Sequence, residues 1–128
     1  MMSAVKVFKF GGASVKDAES VDNVKEIVKT YAKGPVVVVV SAMGKTTNLL
    51  EKVIDAFWNG GNSLESELNT LFSFHKSVIN DLNIIDQDFL TEIDFLFKTI
   101  KQRLSQKPTN NFSFDYDQIV SFGELLST

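Results

Sequence analysis

Val36-Val37-Val38-Val39-Val40-Ser41-Ala42-Met43-Gly44 carries the strongest fold signal in the chain. Five β-branched residues in succession, with no polar alternation, describe a strand expected to be buried on both faces, as in a parallel sheet covered by helices. The small residues that follow describe a tight loop at the strand's carboxyl end. Just upstream, Gly34 stands where a left-handed helix cap is expected, and Pro35 blocks further helix. Val21, Val24, Ile27, Val28 and Tyr31 recur at three- and four-residue spacing and predict the helix that ends there. Further back, Val5 to Phe10 alternates, with Val5, Val7 and Lys9 on one face and Lys6, Phe8 and Phe10 on the other, and stops at Gly11-Gly12. Strand, helix and strand in that order make a βαβ unit, whose crossover is right-handed. The class is α/β.

Downstream the pattern turns helical. Leu49, Leu50, Val53, Ile54 and Phe57 mark a helix that stops at Asn59-Gly60-Gly61. A second stripe runs through Leu64, Leu68, Leu71, Phe72, His75, Val78, Ile79 and Leu82. A third runs through Phe89, Leu90, Ile93, Leu96, Phe97, Ile100 and Leu104. The short link from Asn83 to Gln87 predicts that these two pack antiparallel as a helical hairpin. Lys107 to Asn111 reads as a loop, Phe112 to Tyr116 fits helix or strand, and Asp117 to Thr128 reads as a helix or a strand leading into one. Leu125-Leu126-Ser127-Thr128 carries no helix stop signal, and two strands are few for a covered sheet. The sequence therefore reads as part of a larger domain.

Composition excludes several function classes. The formal net charge is −3 and no basic cluster stands out, which argues against nucleic-acid binding. There is no cysteine, so disulfides, thiolate nucleophiles and sulfur-ligated metals are excluded. Val36 to Val40 is far too short to span a bilayer and the first ten residues do not form a signal peptide, so no membrane association is expected. A cysteine-free, mildly acidic chain fits the cytoplasm. The triplet Asn111-Phe112-Ser113 matches a glycosylation acceptor, but without a secretory signal it is read as chance.

Two strand-to-helix junctions carry small residues, Gly11-Gly12-Ala13-Ser14 and Ser41-Ala42-Met43-Gly44. In a parallel sheet both lie at the carboxyl ends of the strands, where ligands bind. Glycine lets main-chain N–H groups approach a phosphate, and a following helix start favours negative charge. Lys9, just before the first turn, can add a full positive charge. The plainer alternative is that the glycines make tight turns and Lys9 is solvated. Two familiar phosphate motifs fail. Gly44-Lys45-Thr46 ends like a P-loop, but the glycine required five residues earlier is Val39. Gly11-Gly12-Ala13 does not meet the G-x-G-x-x-G fingerprint of dinucleotide binding.

The residues do resemble one family. Lys9-Phe10-Gly11-Gly12-Ala13-Ser14-Val15 resembles the aspartokinase signature K-F-G-G-T-S-V. Val40-Ser41-Ala42-Met43-Gly44-Lys45-Thr46-Thr47-Asn48-Leu49 resembles the segment V-S-A-x-x-x-x-T-N-L. Val120-Ser121-Phe122-Gly123-Glu124-Leu125-Leu126-Ser127 resembles V-S-x-G-E-x-x-S, and the three stand in the family's order. The resemblance implies a three-layer α/β/α amino-acid kinase fold like that of carbamate kinase, with residues 1–128 forming the N-terminal portion of its catalytic domain and the hairpin an insertion. It implies aspartate kinase activity: transfer of the γ-phosphoryl group of ATP to the side-chain carboxylate of L-aspartate, the first step towards lysine, threonine and methionine. Mg²⁺ would be held through the ATP phosphates, with no metal ligand from the chain. The full-length protein would be a homo-oligomer.

Roles follow on that resemblance. Lys9 would pair with the ATP phosphates, and Gly11, Gly12 and Ser14 would line the same pocket. Ser41 would sit near the transferring phosphoryl group or the aspartate carboxylate. Thr47 would contact aspartate, and Glu124 would accept hydrogen bonds from its α-ammonium. Ala13 replaces the family's threonine, so a hydroxyl there is missing, and Phe122 stands where some members carry histidine. Each role has a structural alternative. Ser121-x-x-Glu124 fits a capping box, and Ser41 or Thr47 could cap the helix that begins near Thr46. His75 on its apolar stripe reads as a packed, hydrogen-bonded core residue, Trp58 as a helix-end packing residue, and Phe89, Phe95 and Phe97 as core or subunit interface. Two other functions stay open: another amino-acid kinase, and a non-catalytic module whose hairpin, Leu64 to Leu104, presents apolar surface to a partner.

Overall fold

The computed structural model describes residues 4–128. Strand β1 (Lys6–Phe10) pairs in parallel with β2 (Val36–Val40), Lys6 opposite Val36 and Phe10 opposite Val40. Between them lie a short 3₁₀ turn (Gly12–Val15) and helix α1 (Ala18–Tyr31), which completes the expected βαβ unit. Asp17 starts α1 by accepting from the Ser20 amide at 2.9 Å and its hydroxyl at 2.6 Å. The helix does not end on a left-handed glycine. Ala32 caps it, its amide returning to the Val28 carbonyl at 2.8 Å, and Gly34 serves the bend beyond with φ +134°.

The pleat sends Phe8, Phe10, Val36, Val38 and Val40 to one face and Val7, Lys9, Val37 and Val39 to the other. Phe10 and Val40 pack with Val15, Val24 and Met43, and with Phe74, Val78 and Leu82. The opposite face is open: Val7 is 66 %, Val37 48 % and Val39 44 % exposed. Here the expectation of a strand buried on both faces is overturned. The described residues supply two strands and cover one face in part, Val38 on it being 41 % exposed, so of the three layers expected they provide the sheet and one incomplete helical layer. A residue run suited to two-sided burial is half used.

The second half is helical: α2 (Thr46–Asn59), α3 (Leu64–Asp81), α4 (Gln87–Leu104), α5 (Phe112–Val120) and α6 (Phe122–Ser127). Helix α2 ends as expected, with Gly60 left-handed at φ +63°. Asp86 and Asn111 cap α4 and α5 through Phe89 N at 2.8 Å and Phe114 N at 3.1 Å. The ambiguous segment from Phe112 is thus helix, because Asn111 supplies a start signal that strand propensity cannot outweigh. The hairpin is antiparallel. The Phe72 and Phe97 rings stand 4.2 Å apart, the Lys101 ammonium lies 5.5 Å above Phe72, and Leu68 and Leu104 line one hollow.

Leu50, Val53, Ile54, Leu71, Phe97, Ile100 and Ile119 form the main core, joining α2 to α5. Helix α3 belongs to both cores, turning Leu71 and Phe72 to the helices and Phe74 and Val78 towards the sheet. The hairpin therefore spends its main apolar stripe inside the chain, though Phe95 is exposed rather than core. Buried Asp115 ties the end of the hairpin down: its Oδ2 accepts from Trp58 Nε1 at 3.1 Å, Thr109 N at 2.8 Å and Thr109 Oγ1 at 3.0 Å.

Candidate functional site

The sheet ladder continues past the strands and brings the glycine turns together. Ser41 N donates to Phe10 O at 3.0 Å, and Gly44 N donates to Gly12 O at 3.3 Å. The turns are packed tightly enough to need small residues. A Cβ on Gly12 would stand 3.1 Å from Ala42 O, and one on Gly44 2.9 Å from Lys16 O, with Gly44 already at φ +47°. The third segment closes on the same place. Ser127 Oγ donates to Ser41 O at 2.7 Å, and a Cβ on Gly123 would lie 2.9 Å from Ala42 Cβ and 3.3 Å from Leu50 Cδ1.

The three segments singled out by sequence thus converge at the carboxyl ends of β1 and β2. Lys9, Gly11, Ser14 and Glu124 are exposed, and Gly12, Ser41 and Thr47 are half-buried. Lys9 and Glu124 take no part in an ion pair; the two among the described residues, Lys25–Asp22 and Lys29–Glu26, lie on α1. The capping alternatives do not hold. Ser121 makes no side-chain cap to α6, so the Ser121–Glu124 box is not formed, and Lys45, not Ser41 or Thr47, occupies the N-cap of α2.

The two junctions differ in how they meet an anion. The α1 start is occupied by Asp17, a carboxylate held below its ordinary range by its hydrogen bonds to Ser20. The α2 start carries no side-chain cap; the Thr46 amide is taken by Met43 O at 2.8 Å, which leaves the Thr47 and Asn48 amides as first-turn donors beside Lys45. A helix start therefore favours an anion at the second junction and not at the first, where the 3₁₀ turn intervenes.

Sequence reasoning passed over Gly123, whose small size lets α6 approach Ala42, and Thr46, which is 0 % exposed. The pairing of Ala42 with a glycine in the third segment was the available signal. His75 is the packed histidine expected, at 2 % exposure, with Nδ1 3.0 Å from Leu71 O and Nε2 3.4 Å from Thr46 Oγ1. Burial pushes its pKa below the ordinary 6.5, against the opposing pull of the Leu71 bond. Above that value the imidazole is neutral folded and unfolded, and stability does not depend on it. As pH falls below it the unfolded chain takes up the proton first, so stability drops until the lower folded pKa is passed. Urea midpoints measured across this window are expected to fall more steeply for the wild type than for His75→Gln; parallel slopes would remove His75 from the acid response.

Comparison with known proteins agrees with the geometry. The profile of the amino acid kinase family matches residues 4–128, and the chain belongs to that family. Within it, the chain is 36% identical to aspartokinase 1, chloroplastic, of Arabidopsis thaliana over 126 residues, covering 95% of the chain and 22% of the relative. It is 35% identical to a bifunctional aspartokinase/homoserine dehydrogenase, chloroplastic, of Daucus carota, covering 94% of the chain and 14% of the relative. The crystal structure of E. coli aspartokinase III in complex with aspartate and ADP superposes with a TM-score of 0.80 at 27% identity, over 97% of this chain and 27% of that one. The fold is thus that of the amino-acid kinases, and the chain spans roughly a fifth of the length of the first of these relatives. Among the described residues no helix is long and apolar enough to cross a membrane.

Proposed function

We propose that residues 1–128 are the N-terminal portion of an aspartate kinase catalytic domain, which phosphorylates the side-chain carboxylate of L-aspartate with ATP. The observation that carries this reading is the convergence of the three signature segments, Ser41 bonded to Phe10 on one side and to Ser127 on the other. A carboxylate is a competent nucleophile at neutral pH, so no general base is required. The obstacle is the approach of two anions, which positive charge and oriented donors must offset.

Lys9 meets the ATP phosphates, with the Gly11 and Gly12 amides and Ser14 lining the same pocket. Ser41 stands between the transferring phosphoryl group and the aspartate carboxylate, Thr47 holds aspartate, and Glu124 receives its α-ammonium. When bound, Mg²⁺ adds positive charge on the ATP phosphates; none of these side chains is assigned to it. The product is 4-phospho-L-aspartate, the entry to lysine, threonine and methionine biosynthesis. The complete enzyme is read as a homo-oligomer of the cytoplasm that binds neither nucleic acid nor membrane. Support comes from the aspartokinase relatives and from the aspartate- and ADP-bound neighbour.

The test is trapping of the acyl phosphate as a hydroxamate. The complete kinase is expected to give product with aspartate and none with glutamate, and the isolated 128-residue chain is expected to give none with either. Product with another carboxylate in place of aspartate would move the reading to a different amino-acid kinase. Turnover by the isolated chain would show that the residues assigned here suffice.

A further inference from the structure

We propose that Thr46 and His75 form a buried positioning pair that sets the first turn of α2, and through it Thr47 and Glu124, for the amino-acid substrate. This deepens the reading above and rests on it. The Leu71 carbonyl, 3.0 Å from His75 Nδ1, can only accept, so Nδ1 carries the ring proton. In the neutral ring Nε2 is then an acceptor, and the Thr46 hydroxyl at 3.4 Å is its donor. The Phe74 and Phe97 rings flank the imidazole with centroids at 5.2 and 6.4 Å, and among the described residues neither side chain of this pair has another side-chain hydrogen-bond partner.

The position of Thr46 gives the bond its consequence. Thr46 opens α2, its amide taking Met43 O at 2.8 Å, and Thr47 is the next residue. Its methyl Cγ2 lies 3.7 Å from where a Cβ on Gly123 would stand, and Glu124 follows Gly123. One buried side chain thus joins α2 to α3 by its hydroxyl and abuts α6 by its methyl. Apolar packing alone would fill this space but leave the rotation of the α2 start loosely specified, whereas a hydrogen bond is directional. Turning that start displaces Thr47 and presses on Gly123 together.

Thr46→Val keeps the shape and deletes the donor. In the complete kinase it is expected to raise the aspartate KM roughly three- to tenfold, the effect of one buried hydrogen bond, with the ATP KM unchanged. Thr46→Ser restores the hydroxyl and is expected to recover most of that loss. His75→Leu should reproduce the Thr46→Val value, and the double variant should be no worse than either, because the Thr46–His75 bond is the one both remove and the Leu71 bond that His75→Leu also deletes lies within α3. An aspartate KM unchanged in Thr46→Val, or equal rises for aspartate and ATP, would overturn the pair's positioning role even if His75→Leu failed to fold. A wild-type enzyme that did not phosphorylate aspartate at all would overturn the functional reading and this inference with it.

Discussion

Replacing Lys9 with alanine in the complete kinase is expected to lower kcat by roughly 10²–10³-fold, the scale seen when a charge-stabilising group is removed from a transition state. The aspartate KM should change far less. Lys9 stands at the carboxyl end of β1, exposed and outside any ion pair, one residue before Phe10, whose carbonyl holds Ser41. On the proposed function, an ammonium placed there would meet negative charge as the phosphoryl group leaves ADP. Removing it leaves the bound substrates in place but raises the barrier between them. Steady-state kinetics at saturating substrate make the check: a rise in ATP KM with kcat intact would mean that Lys9 contributes only uniform binding.

Glu124→Ala is expected to act on the other end of the substrate. The aspartate KM should rise by about 10–100-fold, the loss of a charged hydrogen bond between carboxylate and ammonium. The ATP KM should hold. Glu124 is exposed on α6, close to the α2 start only because Gly123 allows the helices to touch, and Ser121 does not engage it in a capping box. A carboxylate without a local structural partner is available for a ligand. Glu124→Gln should fall between the two, keeping an acceptor and losing the charge. Were the aspartate KM unchanged while the thermal midpoint fell, Glu124 would be a structural residue after all.

Much of this was legible from the chain alone. The alternation at Val7 to Phe10 and the glycines after it located β1, its faces and its loop, because a two-residue period and a tight turn are local properties. Gly60 gave the end of α2 for the same reason, whereas Gly34 misled, since Ala32 had already closed α1 through its own amide. The valine run shows the limit of local reading. Its composition records burial on two faces, but the described residues cover only one and that in part, and burial depends on what lies across space. Phe95 was expected in the core or a subunit interface, and of the two α4 excludes the core by turning it to solvent.

The candidate site was readable as three segments and unreadable as one place. Nothing in the order of residues states that Ser127 bonds Ser41 or that Gly123 meets Ala42, contacts of 86 residues' separation in the first case. The Thr46–His75 pair was hidden because a histidine on an apolar stripe signals packing and says nothing of its partner. A buried hydroxyl at a helix start acquires meaning only when the facing helix is known.

On the proposed function, the carboxyl ends of β1 and β2, with the start of α6, hold both reactants. The most direct measurement is a crystal structure of the complete kinase with aspartate and ADP bound. In it the Lys9 ammonium and the Gly11–Gly12 amides are expected against the phosphates, Thr47 against aspartate, and the Glu124 carboxylate on its α-ammonium. Aspartate or ADP bound without contact to these residues would contradict it.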